Sequence, residues 1–134
     1  LISNLVSSPF LITFPVWELL PMFLFEKLNV YQKALDFADE IHNISQAFPK
    51  GSWYFVDQLG RASVSISVNI AEGNGRFHKN DRFNFFRIAR GSAFECVPLL
   101  DLCRRRKWLA DGDHQRLRAQ LIEISKMLSG LAKE

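Results

Sequence analysis

The sequence predicts an all-α, antiparallel up-and-down four-helix bundle, and three observations predict it. Four stretches between Val30 and Leu131 repeat apolar residues at spacings of three and four, the period of one helix face. The breaks between them are short and hold Gly, Pro, Asn or Asp. The chain has 134 residues, 48% hydrophobic and 23% charged, which suits one globular domain with a single core.

The bundle is expected over residues 25–134, after an apolar extension covering residues 1–24. Glu18 is the only charge before Phe25, and Pro9, Pro15 and Pro21 interrupt any helix long enough to span a membrane. No basic segment precedes Lys27, as a secretory signal requires. The chain opens on Leu, while Met22 stands just ahead of Phe23-Leu24-Phe25-Glu26-Lys27-Leu28. Met22 is therefore read as the biological start, with residues 1–21 as upstream sequence; a hydrophobic arm is the alternative.

In the first helix Val30, Ala34, Phe37, Ile41, Ile44 and Phe48 form the inner stripe, and Pro49-Lys50-Gly51 ends it. Ser52 is the expected N-cap of the second. There Phe55, Leu59, Ala62, Ile66 and Asn69/Ile70 face inward, and Ala62, Ser63, Ser65 and Ser67 keep the stripe slim enough for close helix approach. Gly73-Asn74-Gly75 is expected to close it through a left-handed residue. Asn80 or Asp81 should cap the third helix, whose stripe is Phe83, Phe86, Ala89/Arg90, Ala93, Val97, Leu100 and Cys103. Pro98 lies within that stripe and is expected to kink the helix. Gly91-Ser92-Ala93 should let it approach a neighbour closely. Asp111 is the expected cap of the fourth, where Leu117, Leu121, Ile124, Leu128 and Leu131 alternate at four and three.

The segments Arg61-Ala62-Ser63, Asn69-Ile70-Ala71-Glu72-Gly73, Gly75-Arg76, Phe85-Phe86, Ala89-Arg90-Gly91-Ser92 and Glu95 occur in this order. In them the chain resembles the bacterial four-helix-bundle proteins named for reading frames inside 23S rRNA intervening sequences. The resemblance runs from about Phe25 to about Leu131. It implies the bundle fold and, through relatives similar to the accessory variability determinant of diversity-generating retroelements, a pentameric assembly. Those relatives join a reverse transcriptase with nucleic acid, so the resemblance implies nucleic acid, RNA above DNA, and a reverse transcriptase as possible partners.

Charge is unevenly distributed. Nine Lys/Arg between Arg76 and Lys107 face only Asp81, Glu95 and Asp101, a local charge of +6, whereas the rest of the chain carries −3. This polarity reads either as the footprint of a polyanion binder or as a solvated face balanced by other helices or a neighbouring subunit. Two basic groups stand out, Arg76, Lys79 and Arg82 at the start of the third helix and Arg104, Arg105, Arg106 and Lys107 at its end. A straight helix separates them by roughly 40 Å at 1.5 Å per residue. The helix dipole favours cations at a C-terminus, but four in a row exceed that need. Phe77, Trp53 and Trp108 are aromatics that stack on bases or fill joints and subunit contacts. Asn69, Glu72, Arg90 and Glu95 are expected to form a structural polar cluster, with Arg90 buried.

No constellation for catalysis or metal binding emerges. A di-iron bundle requires two Glu-x-x-His pairs, and Asp39-Glu40-Ile41-His42 is the nearest approach. Small helical ribonucleases place His four to six residues after Arg, whereas Arg106 and His114 are eight apart across a joint. No Gly-x-x-x-x-Gly-Lys loop is present. Cys96 and Cys103 sit seven residues apart on one helix, about 10 Å along its axis, too far for a disulfide. Reduced thiols point to the cytoplasm. The reading is a non-enzymatic binding or scaffolding protein with no cofactor, no metal and no membrane association.

Overall fold

The structure, a computed structural model, describes residues 23–133; the expectation about Met22 and residues 1–21 lies outside them. Four helices follow a short 3-10 turn at Leu24–Lys27. They are α1 (Asn29–Ser45), α2 (Trp53–Asn74), α3 (Lys79–Arg105) and α4 (Asp111–Leu131). Each packs against its neighbours in sequence, and α1 closes on α4, which gives the up-and-down bundle. The tightest pairing is α2 with α3.

Side-chain size explains that pairing. Ala62, Ser63, Ser67 and Gly73 on α2 and Ala89, Ala93 and Cys96 on α3 are buried, so little volume separates the two backbones. Ser65 and Ser92 hydrogen-bond across the seam at 2.9 Å. The thicker half of the core comes from Phe37, Leu59, Ile66, Ile70, Leu100, Leu117, Leu121, Ile124 and Leu128, all with at most 1% exposure. Every residue of the expected α4 stripe except Leu131 is buried.

Of Gly91-Ser92-Ala93, Ala93 is buried and Ser92 bonds across to α2 as expected, but the glycine at the close approach is Gly73. A Cβ at Gly91 would meet nothing within 4 Å, and Gly91 is exposed. At Gly73 a Cβ would lie 2.8 Å from the Phe86 ring and 3.0 Å from Phe85 Cβ. Gly73 is therefore a packing residue inside α2. Gly75 ends the helix with φ −80, right-handed rather than left-handed.

The caps also differ. Ser52 occupies the N-cap of α2, but its hydroxyl donates to the Pro49 carbonyl at 2.6 Å and leaves the first turn uncapped by a side chain. His78 and Ala110 precede α3 and α4. Asp81 and Asp111 instead lie within the first turns, where their charge complements the helix dipole. Helix α3 continues through Pro98, which is exposed.

Candidate nucleic-acid interface

The antiparallel path brings the end of α3 beside the start of α2, and one end of the bundle is built there. Phe48, Phe55 and Trp108 make a half-buried aromatic floor over the core. Trp108 meets Phe55 edge-on at 5.3 Å and Phe48 at 6.0 Å between centroids. The chain turns out of α3 through Lys107, the only non-glycine with positive φ (63°) among the described residues. Trp108 N–H donates to the Cys103 carbonyl at 3.0 Å and Lys107 N–H to the Arg104 carbonyl at 2.9 Å. That is the paired-bond helix stop that glycine normally occupies.

This turn carries the four consecutive cations. Arg104, Arg105, Arg106 and Lys107 are all exposed, and none has an ion-pair partner among the described residues. The Arg106 guanidinium lies over Phe55 and Trp108, 5.9 and 5.7 Å from their centroids. Exposed Lys50 lies at the same end in the joint after α1. Asp111 and Asp57 are the nearby acids, and Asp57 is taken up by Arg61 at 3.1 Å.

The other basic group is differently employed. Arg76 pairs with Glu72 at 3.2 Å and covers Phe85. Arg82 donates to the carbonyls of Phe77 and Arg76 at 3.0 and 3.5 Å, bracing the joint between α2 and α3. Lys79 lies over Phe83 at 5.4 Å. Two of these three cations therefore serve the joint, whereas none of the four at the Arg104–Lys107 end is ion-paired among the described residues.

Asn69, Glu72, Arg90 and Glu95 are not brought together. The Asn69 amide donates to the Ser65 carbonyl and hydroxyl, Glu72 holds Arg76, and Glu95 is exposed. Arg90 is exposed rather than buried and lies over Phe94 at 4.3 Å. It lines a groove between α3 and α4, away from Asn69.

Two surfaces escaped the sequence reading. Phe94, Val97, Pro98, Leu121 and Ile122 floor that groove, which has a volume of about 720 Å³ and is rimmed by Arg90, Arg118 and Lys126. On the α1/α4 side, Asp36, Asp39, Glu40 and Glu123 line a hollow with Lys33, which pairs with Glu123 at 3.0 Å, while Arg116 holds Glu40 at 3.0 Å. Exposed apolar residues at helical spacing on α3 and α4 were the available signal, masked by each helix's stronger inner stripe. Among the described residues no three His, Cys, Asp or Glu side chains gather as metal ligands would, and no helix is long and apolar enough to cross a membrane.

A family model described as 23S rRNA-intervening sequence protein matches residues 26–130. A crystal structure of a protein of unknown function from the S23 ribosomal protein family of Bacteroides thetaiotaomicron superposes with a TM-score of 0.72 at 26% identity. The match covers 78% of this chain and 99% of that one. No curated protein matches the chain.

Proposed function

Because the chain belongs to the family of 23S rRNA-intervening sequence proteins, we propose that it is a non-enzymatic, oligomeric bundle that binds nucleic acid, RNA in preference to DNA, through backbone phosphates. The observation that carries this reading is the Arg104–Lys107 turn, four exposed cations with no ion-pair partner among the described residues. Phosphate binding releases counterions, so affinity is largely independent of sequence and falls steeply with salt. Titrations of RNA and DNA of matched length at two salt concentrations test it. Replacing Arg104, Arg105, Arg106 and Lys107 by Gln weakens binding to every sequence and flattens the salt slope by up to about one unit for each phosphate no longer neutralised. Arg76, Lys79 and Arg82 contribute less, since Arg76 and Arg82 are held by the joint. Binding that survives both sets of substitutions places the surface elsewhere.

The oligomer, pentameric by family resemblance, is supported by the apolar α3/α4 groove, where Phe94 and Ile122 remain 51% and 44% exposed. Its basic rim and Asp36 and Asp39 of the α1/α4 hollow, unpaired among the described residues, are opposite in sign and lie on different faces, as a head-to-tail ring requires. Light scattering coupled to gel filtration decides the assembly. The same groove favours the second reading, a protein-interaction module such as a reverse transcriptase subunit with no nucleic-acid role. Absence of RNA and DNA binding at low salt selects that reading.

A further inference from the structure

The aromatic chain at the Arg104–Lys107 end continues outward beyond the floor that Phe55 and Trp108 supply. Tyr54 meets Phe55 edge-on at 5.8 Å, and Trp53 meets Tyr54 edge-on at 6.1 Å. Trp53 is 73% exposed and Tyr54 55% exposed. Neither belongs to the core or to the residues packed against it. Two ring systems therefore stand open at the first turn of α2, joined through ring contacts to the cation-bearing turn of α3.

We propose that this end of the molecule is a base-stacking platform for single-stranded nucleic acid, with Trp53 and Tyr54 receiving unpaired bases while Arg104, Arg105 and Lys107 hold the adjoining phosphates. The proposal rests on the nucleic-acid reading above and narrows its ligand class. Cations alone give a single strand no advantage, since a duplex carries the denser phosphate charge. Open aromatic faces discriminate, because a duplex keeps its base faces stacked on one another and a single strand presents them. The near-perpendicular Trp53 and Tyr54 rings, at 85°, suit bases splayed apart rather than a continuous stack. Charge argues for this ligand over a protein partner, since the Arg106 guanidinium lies over Phe55, the ring that Tyr54 meets, and its neighbours in the turn are unpaired among the described residues. The opposite end offers less: one exposed ring, Phe77 at 94%, beside Lys79, while Arg82 is bonded to the Phe77 and Arg76 carbonyls and Arg76 to Glu72.

The test compares a labelled single-stranded RNA with no self-complementary segment and the same strand annealed to its complement, by anisotropy at low salt. The wild-type chain binds the single strand more tightly. Trp53→Ala lowers single-strand affinity roughly 5- to 150-fold, the range expected when one base–aromatic stack is removed, and leaves duplex affinity and the salt slope unchanged. Trp53→Phe restores most of that affinity. Because Trp53 is outside the core, circular dichroism of the Ala variant matches the wild type. Equal weakening for single strand and duplex, or none for either, overturns the platform while leaving phosphate binding intact. A change in oligomer mass without a change in RNA affinity also overturns it and assigns Trp53 to a subunit contact. Absence of wild-type binding to both ligands overturns the nucleic-acid reading together with the platform.

Discussion

Asp101 on α3 lies 2.6 Å from His114 on α4, carboxylate Oδ1 to imidazole Nε2, and so ties the last turns of one helix to the first turn of the next. His114 is 4% exposed, and its Nδ1 has no hydrogen-bond partner among the described residues. The bond with Asp101 is therefore what compensates the burial of this ring.

Removing the acceptor should cost more than removing the ring. Asp101→Ala leaves both nitrogens of His114 buried and unpaired, and should destabilise the bundle by about 1–3 kcal/mol. Asp101→Asn keeps an amide oxygen to accept from Nε2–H and should cost a fraction of that. His114→Phe keeps the volume, removes the polar demand and frees a carboxylate that reaches solvent. It should cost less than Asp101→Ala. Urea midpoints at unchanged slope check the ranking, and an Asp101→Ala midpoint equal to wild type would sink it.

Glycines divide by what a methyl group would meet. Gly73→Ala drives a Cβ to 2.8 Å from the Phe86 ring at the tightest helix pairing, and overpacking there should cost about 1–3 kcal/mol. Gly60 and Gly91 lie within helices with nothing within 4 Å of an added Cβ. Alanine at either should stabilise by about 0.5–1 kcal/mol through helix propensity and a less flexible unfolded chain. Thermal melts of the three variants should move in these opposite directions.

The glycines also show what the sequence could reveal. Inner stripes were legible because burial of one face imposes a period on residues close in the chain: Val30, Ala34, Phe37 and Ile41 are buried as their spacing predicts. The role of Gly73 was not legible, because it depends on Phe86 thirteen residues away across a joint. For the same reason the burial expected of Arg90 fails: its place on the wheel is marginal, and only packing of α3 on α4 sets it facing outward. At the candidate interface the Arg104–Lys107 run was visible as composition. That Arg76 and Arg82 are tied to local acceptors, and that Trp53 stands open and connects to the α3 turn through Tyr54 and Phe55, depends on how the helices pack.

Both cysteines should be silent in the folded protein. Burial, reinforced by the neighbouring Glu95 charge, pushes the Cys96 thiol up to about 12, and burial raises Cys103 to about 11, against an ordinary 9.0. A thiol reagent at neutral pH should label neither until the chain unfolds. The shifts also set an alkaline limit. Folding holds these groups protonated where the unfolded chain ionises, so their contribution is complete below about pH 9 and lost as pH climbs towards 11–12. Replacing both by Ala or Val should flatten the fall in stability across that window, in urea titrations at successive pH values.

Lys107 sets stability against binding. Its φ of 63° places a side-chain-bearing residue in the left-handed region, which costs about 1–2 kcal/mol relative to the right-handed one. The two hydrogen bonds that end α3, from Trp108 and Lys107 to the carbonyls of Cys103 and Arg104, hold it there. Glycine takes this conformation without strain but enlarges the entropy of the unfolded chain, by roughly 0.5–1 kcal/mol. Lys107→Gly should therefore stabilise the bundle by about 0.5–1 kcal/mol net. In the phosphate-binding reading the same change removes one cation, so affinity for nucleic acid should fall and the salt slope should flatten by up to about one unit. Lys107→Arg should leave both properties near wild type, since it keeps charge and strain. Added stability with undiminished affinity would remove Lys107 from the interface, and weakened affinity without added stability would show that the turn is not strained.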